Sequence, residues 1–331
     1  MKIEELDYTL DRSAMPHDPV ELRGQRRDSG KLIVLDRSAA NVEHSVFSNV
    51  IDYFRPGDLL VLNDSYLLPN SLWFQYGEES TQLTVSGLEP DGSTIIAVKT
   101  DKPWVQPGIT LVSTNDSQLS CTLLETEPGN LWKAKFEPLD LLTPALEQHG
   151  QRLNDGIHIK QEHLQNQPQA YRSVFAKVPG SLQIPSAGLH FSRDLIAQAI
   201  AKGVGVAHIT LHVGATEIFL SRVINEGDVA NHKVRSEYFK LGEKAAAQIN
   251  QARSEGRRVI AIGTTVIRTL ESVARNDNPG GAIMPQEGWT DLYIYPGFGF
   301  KVVDVLLTNL HAPRSTHLVL AAAFAGLGLV R

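Results

Sequence analysis

The sequence predicts an α/β fold that carries a separate, small all-β module. Three observations predict it. Beyond about residue 150, strands and helices alternate, the pattern of a layered α/β sheet. Between about 59 and 145, short strands recur with no convincing helix between them, the mark of a small antiparallel barrel or sandwich. The 331 residues, 42% hydrophobic and 21% charged, suffice for two ordinary domains or one large domain with an inserted module.

The opening piece holds a short apolar strand, Lys31-Leu32-Ile33-Val34-Leu35, and a stretch from Ser45 to Phe54 whose apolar spacing predicts a helix. Arg55-Pro56-Gly57-Asp58 is a turn, and Leu59-Leu60-Val61-Leu62-Asn63-Asp64 is a strong strand that begins the β module. Further strands fall at Gln82–Leu88, Thr94–Val98, Gly108–Val112, Leu119–Glu125 and Leu131–Phe136, parted by Asp-Gly, Asn-Asp and Pro-Gly turns. A helix from Leu141 to Gly150 closes the module. After it the pattern predicts helices over Ser192–Lys202, Gly242–Glu255, Thr264–Ala274 and Ser315–Gly326, and strands over Val204–Val213, Arg258–Ile262 and Leu292–Tyr295. Ser192 reads as an N-cap and Gly203 as a stop signal. Arg275–Gly288, with its Asn, Asp, Pro and Gly, reads as a surface loop and a candidate lid.

Composition narrows the function classes. A single cysteine, Cys121, rules out an internal disulfide and zinc sites of the CxxC type; in its apolar strand it reads as an inert buried thiol. The acidic N-terminus lacks the apolar run of a signal peptide, and Leu318–Val330 is too short to span a bilayer, so a cytoplasmic location is expected. A net charge of −6 argues against broad, nonspecific nucleic-acid binding. Two basic runs remain: Arg23, Arg26, Arg27 and Lys31, then Arg253, Arg257 and Arg258. Each reads first as a solvated face and second as a set of phosphate contacts.

Three motifs can carry chemistry. In Arg258 to Glu271 a buried strand runs into Gly263-Thr264-Thr265, where a helix begins. Free backbone N–H groups and two hydroxyls there suit a carboxylate or phosphate. Arg268, one turn in, either adds a bidentate contact or pairs with Glu271 or Asp291. The second motif is a set of histidines at turns and strand ends: His190 in Pro185–Phe191, His212 in Thr210–Gly214, then His232 and His311. None has a partner at helical spacing, so acid/base work or hydrogen bonding is favoured over metal. The third is the aromatic, glycine-rich run from Gly288 to Phe300, which can wall an adenine or face a sulfonium cation, or simply pack against the barrel.

Long blocks in the chain resemble one family. PSAGLHF (185–191), TLHVGA (210–215), VIAIGTTVIRTLES (259–272), GWTDLYIYPGFGFKVVD (288–304) and LLTNLHAPRST (306–316) are similar to the signature blocks of the S-adenosylmethionine:tRNA ribosyltransferase-isomerases of queuosine biosynthesis. So are RRDSGKLIVLDR (26–37), FRPGDLLVLND (54–64) and AYRSVFA (170–176). The resemblance implies a layered α/β domain built from both chain ends (1–58 and 150–331) with an inserted antiparallel β-barrel domain (59–149). It implies transfer and isomerisation of the ribosyl moiety of S-adenosylmethionine onto 7-aminomethyl-7-deazaguanine in tRNA, with adenine and methionine released. S-adenosylmethionine is then a co-substrate and no further cofactor is expected.

On this reading His190, His212, His232 and Glu237 are the catalytic candidates. Ser186, Gly188, Gly214, Thr264, Thr265, Arg268, Asp291, Tyr295, Asn309 and His311 are the substrate-binding candidates. The chain departs from the family pattern at Ser65-Tyr66, where Thr-Arg is usual, and around Asn70-Ser71, where a second arginine is usual. It also departs at Leu153–His158, at Thr216–Phe219 and at Asn231-His232-Lys233-Val234-Arg235. Two alternatives therefore stand beside the main reading: a paralogue with a small-molecule acceptor or a cleavage or elimination reaction, and a non-catalytic nucleoside- or RNA-binding protein.

Overall fold

The computed structural model describes residues 1–331 except 12–17, 100–101, 129, 153–160, 215–226 and 276–280. The departures at Leu153–His158 and Thr216–Phe219 lie outside the described residues.

An antiparallel ribbon of β1 (Lys31–Asp36) and β2 (Asn41–Val46) comes first. Then β3 (Leu59–Asn63) enters a central sheet and β4 (Ser65–Leu67) leaves it. The next six strands are β5 (Ser71–Tyr76), β6 (Glu79–Leu88), β7 (Thr94–Val98), β8 (Thr110–Ser113), β9 (Ser120–Glu127) and β10 (Leu131–Glu137). They close into an antiparallel barrel in the order β10-β7-β6-β5-β8-β9. Helix α1 (Leu142–His149) plugs the barrel by burying Leu142, Ala145 and Leu146 with Leu72, Phe74 and Phe136. Cys121 is fully buried in this core, and burial pushes its thiol pKa up, which leaves it inert.

The returning chain supplies α2 (Gln161–Asn166), β11 (Val178–Ser181), α3 (Arg193–Ala201), β12 (Gly205–Leu211), β13 (Glu237–Leu241) and α4 (Glu243–Ser254). It continues with β14 (Val259–Ile262), α5 (Thr264–Arg275), β15 (Gln286–Thr290), β16 (Val305–Leu307), α6 (Thr316–Ala325) and α7 (Leu327–Val330). The central sheet has the order β15-β13-β12-β3-β14-β16. Strands β12, β3, β14 and β16 run parallel, while β13 and β15 form an antiparallel edge. No helix among the described residues is long and apolar enough to cross a membrane.

Strand alternation explains the layering. Leu59 and Val61 face α4 and α5, packing with Ile249, Val266 and Leu270. Leu60 and Leu62 face the other way, onto Phe47, Val50, Phe191 and Leu195. Both sides are covered, which is why β3 and β14 read as unbroken apolar runs. It also corrects one boundary. β3 was expected to open the β module at 59, but it lies in the middle of the α/β sheet, and the barrel strands begin at Ser71.

Two further expectations change. The predicted helix from Ser45 to Phe54 is a strand end followed by a 3-10 helix, Phe47–Tyr53. Its buried residues Phe47 and Val50 stand three apart, the repeat of that tighter helix. The predicted strand Leu292–Tyr295 is absent; β15 forms earlier, at Gln286–Thr290, by pairing with β13, so part of the expected loop is sheet. Leu292 and Ile294 instead bury their side chains in the main core, and the Leu292 carbonyl accepts from Arg268.

Glu271 on α5 is 1% exposed. Its carboxylate accepts from the backbone N–H groups of Lys301, Val302 and Val303 at 2.8, 3.0 and 3.0 Å. Those bonds hold the chain leading into β16. Glu271→Gln turns one acceptor into a donor facing N–H groups. It is expected to lower the unfolding free energy by about 2–3 kcal/mol, read as a reduced urea midpoint with unchanged slope.

Candidate active site

The parallel strands end around one cavity of about 210 Å³, the crevice where open α/β sheets hold ligands. Its wall takes Asn63 from the end of β3, Val213 beyond β12, Ile262 and Gly263 from β14, and Thr308 and Asn309 beyond β16. Gly263 makes the turn into α5 with φ +97°, and a Cβ there would lie 3.3 Å from Ala187, so only glycine suits the place. Helix α5 therefore opens its N-terminus, with Thr264 and Thr265, onto the cavity.

Asn63 is 5% exposed and fully engaged. Its Oδ1 accepts from the N–H groups of Leu211 and Ser65, and its Nδ2 donates to the Leu211 carbonyl and to Thr265 Oγ1. It was not among the expected site residues, although a lone amide closing an all-apolar strand is a readable signal at a strand's carboxyl end.

Glu237 and Arg268 face each other in the cavity wall as an ion pair. Arg268 also donates to the carbonyls of Leu292 (3.0 Å) and Thr290 (3.4 Å), while Glu237 Oε1 accepts from the Gly214 N–H at 3.1 Å. The expected partners Glu271 and Asp291 are thus replaced by Glu237. Arg268 is neutralised before a ligand arrives, which leaves the helix N-terminus as the anion-favouring element. Arg235, also in the wall, reaches away from it to Glu89 and Glu127 on the barrel, at 3.0 and 3.2 Å.

The expected histidines separate. His190 donates from Nε2 to Asn309 Oδ1 at 3.1 Å, and Asn309 Nδ2 donates to Ser186 Oγ at 2.8 Å. Asn309, Ser186 and Gly188 line the cavity; His190 stands behind them against Phe47. Burial pulls its pKa down, with the Arg27 charge acting the same way against the Asn309 bond. His212 lies outside the wall, contrary to its expected place among the reacting groups. Its ring lies against Gly180, where a Cβ would be 2.3 Å away, and it stacks on Tyr238. The Val213 N–H donates to Ser181 Oγ, which lies 2.7 Å from Ser65 Oγ, itself 2.8 Å from His212 Nδ1. These hydroxyls tie the His212 ring to the chain that leaves β12. Burial lowers its pKa to about 4.

His232 packs its ring edge on Tyr293 and lies outside the wall. His311 is in the wall, 3.1 Å from Thr308 Oγ1, stacked on His317, another wall residue that the sequence reading missed. Asp291 is exposed and Tyr295 is 38% exposed, both outside the wall. The wall residue is Tyr293, between the buried Leu292 and Ile294. Its hydroxyl is buried without a hydrogen-bond partner among the described residues, and burial pushes its pKa up. Among the described residues no three His, Cys, Asp or Glu side chains form a metal-ligating group.

An α/β sheet with a polar crevice at its strand ends and a barrel hung from its central strand defines an enzyme of the ligand-at-the-crevice class. The family model described as queuosine biosynthesis protein matches residues 3–331, and the chain belongs to that family. It is 36% identical to the S-adenosylmethionine:tRNA ribosyltransferase-isomerase of Natranaerobius thermophilus, covering 100% of this chain and 93% of that protein. Its identity to the protein of the same name from Desulfitobacterium hafniense is 38%, covering 98% and 92%. Among solved structures, an S-adenosylmethionine tRNA ribosyltransferase from Thermotoga maritima matches at 32% identity and TM-score 0.51, covering 98% of this chain and 91% of that one.

His212 gives a pH signature. Its native pKa lies below the ordinary 6.5, so the unfolded chain takes the proton first. Its contribution to stability is complete above about pH 6.5 and is lost as pH falls towards 4, by up to about 3 kcal/mol. His212→Asn should remove that loss. Urea midpoints of both proteins across this window are expected to converge as the pH drops.

Proposed function

We propose that this protein transfers the ribosyl moiety of S-adenosylmethionine to the aminomethyl group of 7-aminomethyl-7-deazaguanine in tRNA and isomerises it. The products are epoxyqueuosine-tRNA, adenine and methionine. Family membership over 3–331 supports the reaction, and it favours a tRNA acceptor over a small-molecule acceptor or a purely binding role. The observation that carries the site is the cavity at the strand ends onto which helix α5 opens its N-terminus with Thr264 and Thr265.

The substrate's charges match this wall. The methionine carboxylate fits the N–H groups and hydroxyls of Thr264 and Thr265. The sulfonium fits the side of the cavity walled by the Tyr293 ring. The sulfonium acidifies the neighbouring 5′ carbon and makes methionine a good leaving group, so the protein's tasks are to move protons and to orient the reactants. His311 and His317 stand in the wall for proton transfer, while His190 positions Asn309 and Ser186. No cofactor beyond the co-substrate is required by this chemistry, and a cytoplasmic setting follows from a tRNA acceptor.

Adenine and methionine release, followed by chromatography, tests the reading. Release is expected only when the protein meets both S-adenosylmethionine and tRNA bearing the aminomethyl base. Release without tRNA would assign the small-molecule reaction instead. Tyr293→Phe should leave the melting temperature unchanged or raised, because the hydroxyl has no partner among the described residues to lose.

A further inference from the structure

Most of the large apolar side chains that meet solvent lie away from the crevice. Among the described residues Ile33, Val46, Trp73, Ile200 and Met284 are of this kind, and none of them is in the cavity wall. Leu310 is the exception. It is 84% exposed, against 56% for Met284 as the next, and it lines the cavity. A residue that borders a cavity and yet stands almost wholly in solvent can only be at its mouth.

The turn that carries Leu310 is pinned on both sides. Before it, Asn309 accepts from His190 at 3.1 Å and donates to Ser186 Oγ at 2.8 Å. After it, the His311 carbonyl accepts from the Tyr8 hydroxyl at 2.6 Å, and the His311 ring lies 3.1 Å from Thr308 Oγ1 and stacks on His317. Further on, Arg314 pairs with Asp7 and Ser315 caps α6. A leucine on a loose loop would fold back onto the nearest apolar surface. Anchored flanks hold this one out in water, where its exposed surface is worth at least about tenfold in affinity to whatever covers it.

We propose that Leu310 is a wedge that enters the base stack of the RNA substrate and holds the aminomethyl base in the crevice. The inference rests on the tRNA reading above. The co-substrate occupies a cavity of about 210 Å³, so the acceptor base must leave its neighbours and enter by the mouth while the rest of the RNA stays outside. Unstacking leaves an apolar gap beside the neighbouring base. An aliphatic side chain of leucine's size closes that gap and asks for no hydrogen bond in return. The extent of the patch excludes a protein partner: one side chain between the polar wall residues Asn309 and His311 falls far short of the roughly 800 Å² a side that a specific protein interface buries. Phosphates are excluded as well, because the side chain carries neither charge nor donor.

The test uses the full-length protein and a tRNA that carries 2-aminopurine next to the aminomethyl base, a probe that brightens when it unstacks. Wild-type protein is expected to brighten it. Leu310→Ala should lose most of that rise and lower kcat/KM for tRNA about tenfold. Its melting temperature should be unchanged or raised, because little of the side chain is buried. Leu310→Gln, close in size but polar, should fail in the same way, whereas Leu310→Met should restore the brightening and most of the turnover. A Leu310→Ala protein that brightens the probe as wild type does overturns the proposal and leaves the function intact. So does a loss of S-adenosylmethionine affinity, read by calorimetry, that matches the loss of turnover, since it places the leucine on the co-substrate. A wild-type protein with no turnover of tRNA would overturn the proposed function and this inference together.

Discussion

Asn63 stands where β3, β12 and α5 meet, and one side-chain amide serves all three. It spends both Oδ1 acceptances on backbone N–H groups and its Nδ2 donations on the Leu211 carbonyl and the Thr265 hydroxyl. A buried amide satisfied on every side admits few alternative arrangements, because each lost bond exposes a desolvated polar group. The strand ends that frame the cavity, the start of α5 and the departure of the chain towards the barrel are all set by it. Behind it, Leu60 and Leu62 on one face and Leu59 and Val61 on the other keep β3 from shifting register, since a one-residue slip would exchange the two faces.

The elements with a strong local period were legible in the sequence. Helix α3 begins where Ser192 was read as a cap, with its Oγ accepting from the Leu195 N–H, and the barrel strands β6, β7, β9 and β10 overlap their predicted ranges. The central place of β3 was not, because an apolar run looks the same in a barrel and in a two-sided sheet; only its partners β12 and β14, some 150 and 200 residues later, distinguish them. The same limit governs the site. Thr264 and Thr265, read from a strand-to-helix junction, and Ser186, Gly188 and Asn309, named on the family resemblance, came out in the wall. Which aromatic of Tyr293 and Tyr295 faces inward depended on where β15 stops pairing, and which acid meets Arg268 depended on β13; neither is local.

The histidines show how burial decides a role that residue type leaves open. His212 is buried beside a chain of hydroxyls, and burial keeps it neutral, whereas His311 and His317 stack in the wall itself. The departures from the family pattern also gain a place in space. Tyr66 stands under Arg172, and Ser71 is bridged to the residue before Arg152. The first of these positions, which looks like a loss in a linear comparison, therefore lies against a cation supplied by another stretch of chain.

Arg235 belongs to the cavity wall, yet both of its carboxylate partners, Glu89 and Glu127, sit on barrel strands or their ends. Such a tie rivets the rim of the crevice to a module none of whose described strand residues lines it, so a charge change on the barrel at Glu89 or Glu127 bears on the crevice rim through Arg235.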